Sequence, residues 1–322
     1  MIRLNDVVVS YRTARGSIDA VDGVTLEIPD GCIVGVAGES GCGKSTLMKA
    51  IYGDVTSPMS LRDGNIEYGF VDERGTPITS DNIRRQWFKS ISYIPQSSMN
   101  SLNPVVRIGA QFIDFPGTDP DKRRVLEQVR DYIGKLGLPG EALDSYPHQL
   151  SGGMRQRIMI AMATFFNPQL ILADEPTTAL DVVVQKEILM LLMELQEEMG
   201  NTIILVSHDM GVHYQVTQRM LIMYAAKAVE YGDSESVFRE PLHPYTRMLI
   251  SSLPTIGDDR ARNGIPGTPP SLWGELRACR FADRCPLATD LCRAQEPPLA
   301  EHRPGHFAAC HYAGAEIPQA VQ

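Results

Sequence analysis

Gly38-Glu39-Ser40-Gly41-Cys42-Gly43-Lys44-Ser45-Thr46 is the stretch on which the fold turns, a full match to G-x-x-x-x-G-K-[ST]. Before it, Cys32-Ile33-Val34-Gly35-Val36-Ala37 has the short apolar character of a buried strand. After it, residues 47–52 continue as a helix that Gly53 ends. Strand, glycine loop and helix in that order give the pattern a mechanism. The glycines let the backbone wrap close to a polyphosphate with its N–H groups pointing inward, and the helix N-terminus adds partial positive charge. Candidate nucleotide-binding residues are therefore Gly38, Ser40, Gly41, Cys42, Gly43, Lys44, Ser45 and Thr46. Lys44 is placed to reach the β/γ-phosphates, and the Ser45 hydroxyl to bind Mg²⁺. The chain is predicted to bind a nucleoside triphosphate.

Phosphoryl transfer needs a further Mg²⁺ ligand and a group to orient the attacking water. Leu170-Ile171-Leu172-Ala173 is a buried-strand run that ends in Asp174-Glu175. Asp174 at the carboxyl end suits the Mg²⁺ shell, and Glu175 suits a general base. Between the two acids and the first loop lies Leu150-Ser151-Gly152-Gly153-Met154-Arg155-Gln156, a second Ser/Gly loop opening a helix. It is an anion site by the same physics, or simply an N-cap supplied by Ser151. Only one of the two loops carries a lysine, which suggests that the second serves another molecule's nucleotide.

At this point the sequence resembles the ABC-type ATPases, in which two cassettes sandwich two ATP molecules head to tail. The Ser151 loop resembles their signature motif, so Ser151, Gly152, Gly153 and Gln156 are implied to act on the partner's ATP. Tyr93-Ile94-Pro95-Gln96 resembles the Q-loop, which makes Gln96 a Mg²⁺ contact beside Ser45 and Asp174. Thr178-Ala179-Leu180-Asp181 resembles the D-loop, with Asp181 at the dimer interface. Val206-Ser207-His208-Asp209 resembles the switch region, which adds His208 to Glu175 as a catalytic residue. Tyr11 occupies the place of the aromatic that stacks on adenine. The implied fold is α/β, an ABC-type nucleotide-binding cassette. It has a RecA-like parallel sheet core, an antiparallel β subdomain and a helical subdomain at about 97–165.

Along the chain, residues 2–9, 24–28 and 61–68 read as strands. Residues 183–199 read as an amphipathic helix, with Ile188, Leu191, Leu192, Leu195 and Met199 on one face and Gly200 as its cap. Residues 71–90 hold a polar run that fits no element. With 30 basic against 39 acidic residues, the net charge of −9 disfavours a protein that works by neutralising nucleic-acid phosphates. The apolar run at 158–166 is too short to span a bilayer, and the N-terminus lacks a signal-peptide core. A cytosolic chain that reaches a membrane through a partner is expected.

Beyond residue 235 prolines accumulate. His243-Pro244-Tyr245-Thr246-Arg247 and residues 265–272 resemble the carboxyl-terminal extension of oligopeptide/dipeptide importer ATPases, as do residues 99–104 after the Q-loop. Residues 1–235 are thus expected to form the cassette and 236–322 the extension. His243 and Tyr245 read as packing residues. Residues 114–120 read as an altered loop, which bears on the choice of permease. Four of the six cysteines, Cys279, Cys285, Cys292 and Cys310, cluster with gaps of five, six and seventeen residues. A reduced compartment makes a metal site the expectation over two disulfides. Tetrathiolate sites suit zinc or an iron–sulfur cluster, and His302, His306 and His311 keep a mixed zinc site open. The family's extension carries a [4Fe–4S] cluster on such cysteines. No catalytic motif lies beyond His208, so loss of that metal is expected to leave the phosphate-loop chemistry intact.

The resemblance implies an ATPase that energises import of oligopeptides, dipeptides or a related solute such as oligosaccharides or metal chelates. A soluble ABC ATPase outside transport is the alternative. Implied partners are two transmembrane permease subunits, an extracytoplasmic solute-binding protein and a second ATPase subunit, a heterodimer over a homodimer. The implied place is the cytoplasmic face of the inner membrane.

Overall fold

A computed structural model describes residues 1–72, 74–96, 101–115, 121–178, 180–253, 264–274 and 276–316. Ala179 of the D-loop reading, residues 99 and 100 of the stretch after the Q-loop, and residues 73, 116–120 and 254 lie outside the described residues. The contacts divide the chain into two compact units. One holds Met1–Ile28, Val34–Gly69 and Val206–Gln322; the other holds Pro29–Ile33 and Phe70–Leu205.

In chain order the strands are β1 Ile2–Thr13, β2 Gly16–Ile28, β3 Ile33–Ala37, β4 Met59–Val71, β5 Pro77–Thr79, β6 Ile91–Ile94, β7 Leu170–Asp174, β8 Thr202–Val206, β9 Arg219–Tyr224, β10 Lys227–Asp233, β11 Ala300–Arg303 and β12 His306–Ala308. The helices are α1 Lys44–Tyr52, α2 Ile108–Ile113, α3 Lys122–Lys135, α4 Gly152–Thr164, α5 Val182–Met199, α6 Met210–Val216, α7 Ser234–Arg239, α8 Pro244–Ser251 and α9 Asp290–Ala294.

In the first unit β1 pairs antiparallel with both β2 and β4, with Leu4 opposite Leu26 on one side and Ile66 on the other. Alternation puts Ile2, Leu4, Leu26, Ile28, Ile66 and Tyr68 inside. The Tyr68 hydroxyl donates to the Ile51 carbonyl of α1, which ties the antiparallel sheet to the helix behind the glycine loop. β3 pairs in parallel with β9, Val36 opposite Leu221. Both strands are covered on both faces, hence their unbroken apolar sequence. From β9 the pairing turns antiparallel through β10 to β12 and then β11. The proline-rich extension therefore contributes two short strands, with Tyr231 opposite Phe307.

In the second unit β6 and β7 run in parallel, with Tyr93 opposite Leu172 and Ile94 opposite Ala173. α4 buries Ile158, Met159, Ile160, Ala161, Met162 and Ala163 in succession, so its apolar run is core on every side. α5 begins at Asp181, whose carboxylate accepts from the Val183 and Val184 N–H groups, and ends at Gly200 with φ +65°. Residues 71–90, unassigned from sequence, contain β5 and a 3₁₀ turn at Ile83–Gln86. Among the described residues, no helix is long and apolar enough to cross a membrane.

Candidate nucleotide-binding site

The glycine loop lies between β3 and α1, as its sequence context requires. Two of its glycines are obligatory for steric reasons. Gly38 has φ +148° and a Cβ there would lie 2.1 Å from the Met223 carbonyl oxygen. Gly43 has φ +110° and a Cβ would lie 2.1 Å from the Ala20 carbonyl oxygen. Backbone cannot yield as a flexible side chain can, so neither position accepts an L side chain. Lys44, 5% exposed, reaches back across the loop and donates to the Gly38 carbonyl at 2.8 Å and the Glu39 carbonyl at 3.0 Å. Its Nζ stands 3.8 Å from the Cys42 Sγ. Burial pushes the Cys42 thiol above its ordinary value, outweighing the lysine beside it, so Cys42 acts as a small apolar wall. Ser40 and Gly41 are exposed, and Ser45 is half-buried at the first turn of α1. The Tyr11 hydroxyl lies 3.3 Å from the Thr46 hydroxyl, which puts the aromatic of β1 beside the start of that helix.

His208, exposed, sits on the turn between β8 and α6. That turn is pinned on both sides. Asp209 caps α6 by accepting from the Gly211 N–H at 2.8 Å. The His213 ring lies 3.1 Å from the Ser207 carbonyl. His213 is fully buried, and burial lowers its pKa to about 4, so the ring is neutral at neutral pH.

In the second unit, the parallel register of β6 on β7 carries Tyr93 to Asp174, and the phenol donates to Asp174 Oδ2 at 2.8 Å. Glu175 follows with φ +50°, the left-handed region. Its Oε2 accepts from Gln96 Nε2 at 2.7 Å and from the Thr178 hydroxyl at 3.0 Å. Asp174 and Glu175 are buried, at 3% and 8% exposure. Gln96, Asp174 and Glu175 are thus brought together as the sequence anticipated. Tyr93 and Thr178 lay inside the quoted motifs, but their roles as second partners of the two acids had no sequence signal.

Ser151, exposed, caps α4 by accepting from the Met154 N–H at 3.2 Å. The N-cap reading therefore holds, alongside any ligand reading. A Cβ at Gly153 would meet Val184 Cγ1 at 3.0 Å, so this glycine also lets α4 approach α5. Gln156 is only 2% exposed, on the inner face of α4, whereas Ser151 is exposed. Helical periodicity explains this, because one and a half turns separate it from Ser151 and carry it to the inner face. Asp181 is exposed, and its carboxylate is engaged as the cap of α5.

The extension places Cys279, Cys285, Cys292 and Cys310 around one small cavity, together with Phe281, Pro297 and His311. All six cysteines of the chain are free, so the disulfide reading does not apply. Burial, reinforced by the neighbouring thiols, pushes Cys279 and Cys310 up to about 11. Among the described residues, no three His, Cys, Asp or Glu side chains are gathered closely enough to hold a single metal ion. His302 and His306 are engaged elsewhere, with the Ala308 carbonyl and with Glu230. His243 and Tyr245 are buried as expected, and each also has polar work. His243 Nδ1 accepts from the Tyr245 N–H at the start of α8, and the Tyr245 hydroxyl accepts from the Glu39 N–H of the glycine loop.

Comparison with known proteins agrees with this geometry. Residues 21–178 match the family model described as ABC transporter, and residues 229–292 match that described as oligopeptide/dipeptide transporter, C-terminal region. The dimeric structure of MJ0796, a bacterial ABC transporter cassette, superposes with a TM-score of 0.60 at 28% identity, covering 73% of this chain and 99% of that one. The fold is an ABC ATPase cassette. Over 319 residues the chain is 36% identical to the dipeptide transport ATP-binding protein DppD of Escherichia coli (strain K12), covering 97% of this chain and 96% of the relative. It is 38% identical over 317 residues to the oligopeptide transport ATP-binding protein AmiE of Streptococcus pneumoniae, covering 96% and 88%. The chain belongs to the family of ATP-binding subunits of oligopeptide/dipeptide-type ABC transporters, and it is an ATPase.

Proposed function

We propose that this ATPase drives the import of dipeptides or oligopeptides through a pair of membrane-spanning permeases, on whose cytoplasmic side it docks. What carries the peptide reading is residues 229–292, the match to the peptide-transporter C-terminal region on the same chain as the cassette. Lys44 and the backbone of residues 38–46 hold the phosphates, and Tyr11 takes the adenine. Ser45, Gln96 and Asp174 supply the oxygen ligands that Mg²⁺ prefers. That ion, when bound, neutralises charge on the γ-phosphoryl. Glu175, steadied by Gln96 and Thr178, receives the proton of the attacking water, and His208 contacts the γ-phosphate. Ser151, Gly152 and Gly153 act on the ATP of a second, homologous but distinct ATPase, with Asp181 at the same interface. An extracytoplasmic binding protein delivers the solute.

Cys279, Cys285, Cys292 and Cys310 hold a [4Fe–4S] cluster. The four thiols line one cavity, and four thiolates are the ligand set such a cluster takes. The cluster, when bound, would take the four side chains as thiolates with release of their protons, and so fasten the segment that carries them.

The test is reconstitution of the chain with its permeases and second ATPase in vesicles. ATP-dependent uptake of a labelled dipeptide or tripeptide is expected, lost with Lys44→Ala. Uptake of nickel chelates or oligosaccharides with none of peptides would overturn the peptide assignment. Full uptake with this ATPase alone would overturn the heterodimer.

A further inference from the structure

The second residue of the glycine loop, Glu39, is a free choice in the phosphate-loop pattern, yet here it is fixed at three points. Its N–H donates to the Tyr245 hydroxyl at 2.9 Å. Its carbonyl accepts from Lys44 Nζ at 3.0 Å. Its carboxylate takes a two-pronged pair from Arg284, Nη1 to Oε2 and Nη2 to Oε1, both at 2.8 Å. Arg284 and Tyr245 both come from the extension, 245 and 206 positions downstream.

Arg284 is itself immobilised. A guanidinium has five N–H donors, and here five bonds are made. Nε donates to the Pro266 carbonyl at 2.8 Å, and Nη2 also donates to the Ile265 carbonyl at 3.1 Å. Nη1 also donates to the Tyr224 hydroxyl at 3.0 Å. The side chain is 5% exposed, and its plane lies over the rings of Tyr224 and Phe281. The hydrogen-bonded pair with Glu39 raises the already high pKa of the guanidinium, which stays charged. Cys285 is the next residue. Cys279 has a similar neighbour in Arg280, which donates to the Ala225 carbonyl at 2.5 Å and pairs with Asp22. The N–H of Ala226 in turn donates to the Cys42 carbonyl of the glycine loop at 2.9 Å.

We propose that Arg284 is a positioning residue for ATP: by clamping Glu39 it fixes the loop carbonyls that aim Lys44, so that the cysteine-bearing segment sets the nucleotide affinity of the cassette. This rests on the reading of residues 38–46 as the ATP site. It goes beyond the expectation that loss of the metal leaves the phosphate-loop chemistry intact, because it concerns ATP binding. Arg284 does not touch ATP. Its effect is on binding, and the chemistry at Glu175 proceeds at its usual rate once ATP is held.

The experiment uses the full chain with a fluorescent ATP analogue for equilibrium binding and phosphate release for KM and kcat. Arg284→Gln leaves the Glu39 carboxylate without its partner and is expected to weaken ATP binding about tenfold or more, with KM raised in step and kcat within about twofold. Arg284→Lys, a point charge without the fork, should recover only part of the loss. Glu39→Gln combined with Arg284→Gln should bind better than the sum of the single losses implies, since no orphaned charge is left. Tyr245→Phe, which removes only one hydroxyl, is expected to weaken binding about threefold to tenfold and serves even if Arg284→Gln does not fold. Lys44→Ala is the control for the underlying site. If it leaves nucleotide binding unchanged, the ATP-site reading itself fails. If Lys44→Ala abolishes binding while Arg284→Gln and Tyr245→Phe bind within about twofold of the parent, the positioning role is overturned. A fall in kcat that tracks the folded fraction at constant KM also overturns it, since that is the mark of a purely structural residue.

Discussion

Changing Glu175 to glutamine tests the chemical centre with the least disturbance of the fold. The carboxylate is 8% exposed, and its Oε2 accepts from Gln96 Nε2 at 2.7 Å and from the Thr178 hydroxyl at 3.0 Å. An amide of the same shape presents its own oxygen to both donors. Two charge-assisted bonds become two neutral ones, a loss of about 1–2 kcal/mol out of a stability of roughly 5–15 kcal/mol. The left-handed backbone at φ +50° is as acceptable to glutamine as to glutamate. The protein should therefore fold and bind ATP. What vanishes is the proposed base, because an amide cannot take the proton of the attacking water. General-base catalysis is worth about 10²–10⁴ in rate, or roughly 3–5 kcal/mol of barrier. Steady-state phosphate release at saturating ATP should fall by that factor while the dissociation constant for ATP moves by less than about threefold. More than about a tenth of parental turnover would refute the role. A large loss of affinity with turnover unchanged would assign Glu175 to binding instead.

Further outcomes follow from particular packing. His213 holds a pKa of about 4 in the folded protein and sits near Asp209, Lys44 and His208, whereas an unfolded chain protonates it near 6.5. The folded pKa is the lower one, so stability is full above about pH 6.5 and is lost as pH falls toward 4, by at most about 1.4 kcal/mol per pH unit. Urea midpoints between pH 7 and 4.5 should show this slope, and His213→Gln should flatten it. Gly35→Ala should destabilise by about 1–3 kcal/mol, because its Cβ would lie 2.4 Å from Met220 Sδ and 2.5 Å from His213 Nδ1; an unchanged melting temperature would show that His213 yields freely. Anaerobically purified protein should be brown with about four irons per chain, and Cys285→Ser should lose them; a colourless protein with one zinc would replace the cluster.

The elements legible in the sequence are those governed by local rules. The glycine loop, the apolar run before Asp174 and the α5 pattern from Ile188 to Leu195 each carry their own signal, and each lies where it was read. β1 and β2 reach further than read, to Thr13 and back to Gly16, because their outer ends are polar and exposed and so lack the apolar alternation. Asp174 and Glu175 were legible as paired acids ending an apolar strand and Gln96 by resemblance, whereas Tyr93 and Thr178 acquire their roles only through the β6–β7 register and the turn after β7. The burial of Gln156 was not legible, because a motif gives spacing but not the face of the helix. Nothing local marks Arg284 as a partner of Glu39. Long-range ion pairs leave no period and no cap, and only the folded chain brings them together.

The boundary read at residue 235 is not an energetic one, and Glu230 is the reason. Its carboxylate is fully buried in β10, and among the described residues its hydrogen-bond partners lie beyond that boundary: the Leu242 and His243 N–H groups at 2.8 and 2.9 Å and His306 Nε2 at 2.7 Å. A chain ending at residue 235 would keep the acid and lose all three, and an uncompensated buried charge costs about 3–5 kcal/mol. It would also uncover Tyr224, whose ring packs against Tyr245 and Phe281 of the extension, and each lost aromatic burial adds roughly 1.5–3 kcal/mol. Those losses together consume most or all of a domain stability of about 5–15 kcal/mol. The fragment 1–235 is therefore expected to be unfolded or aggregated at 25 °C, as read by circular dichroism and limited proteolysis, and Glu230→Gln in the shortened chain should recover part of the stability by removing the orphaned charge. A soluble fragment melting within a few degrees of the full chain would show that the cassette repacks around Glu230 without its extension.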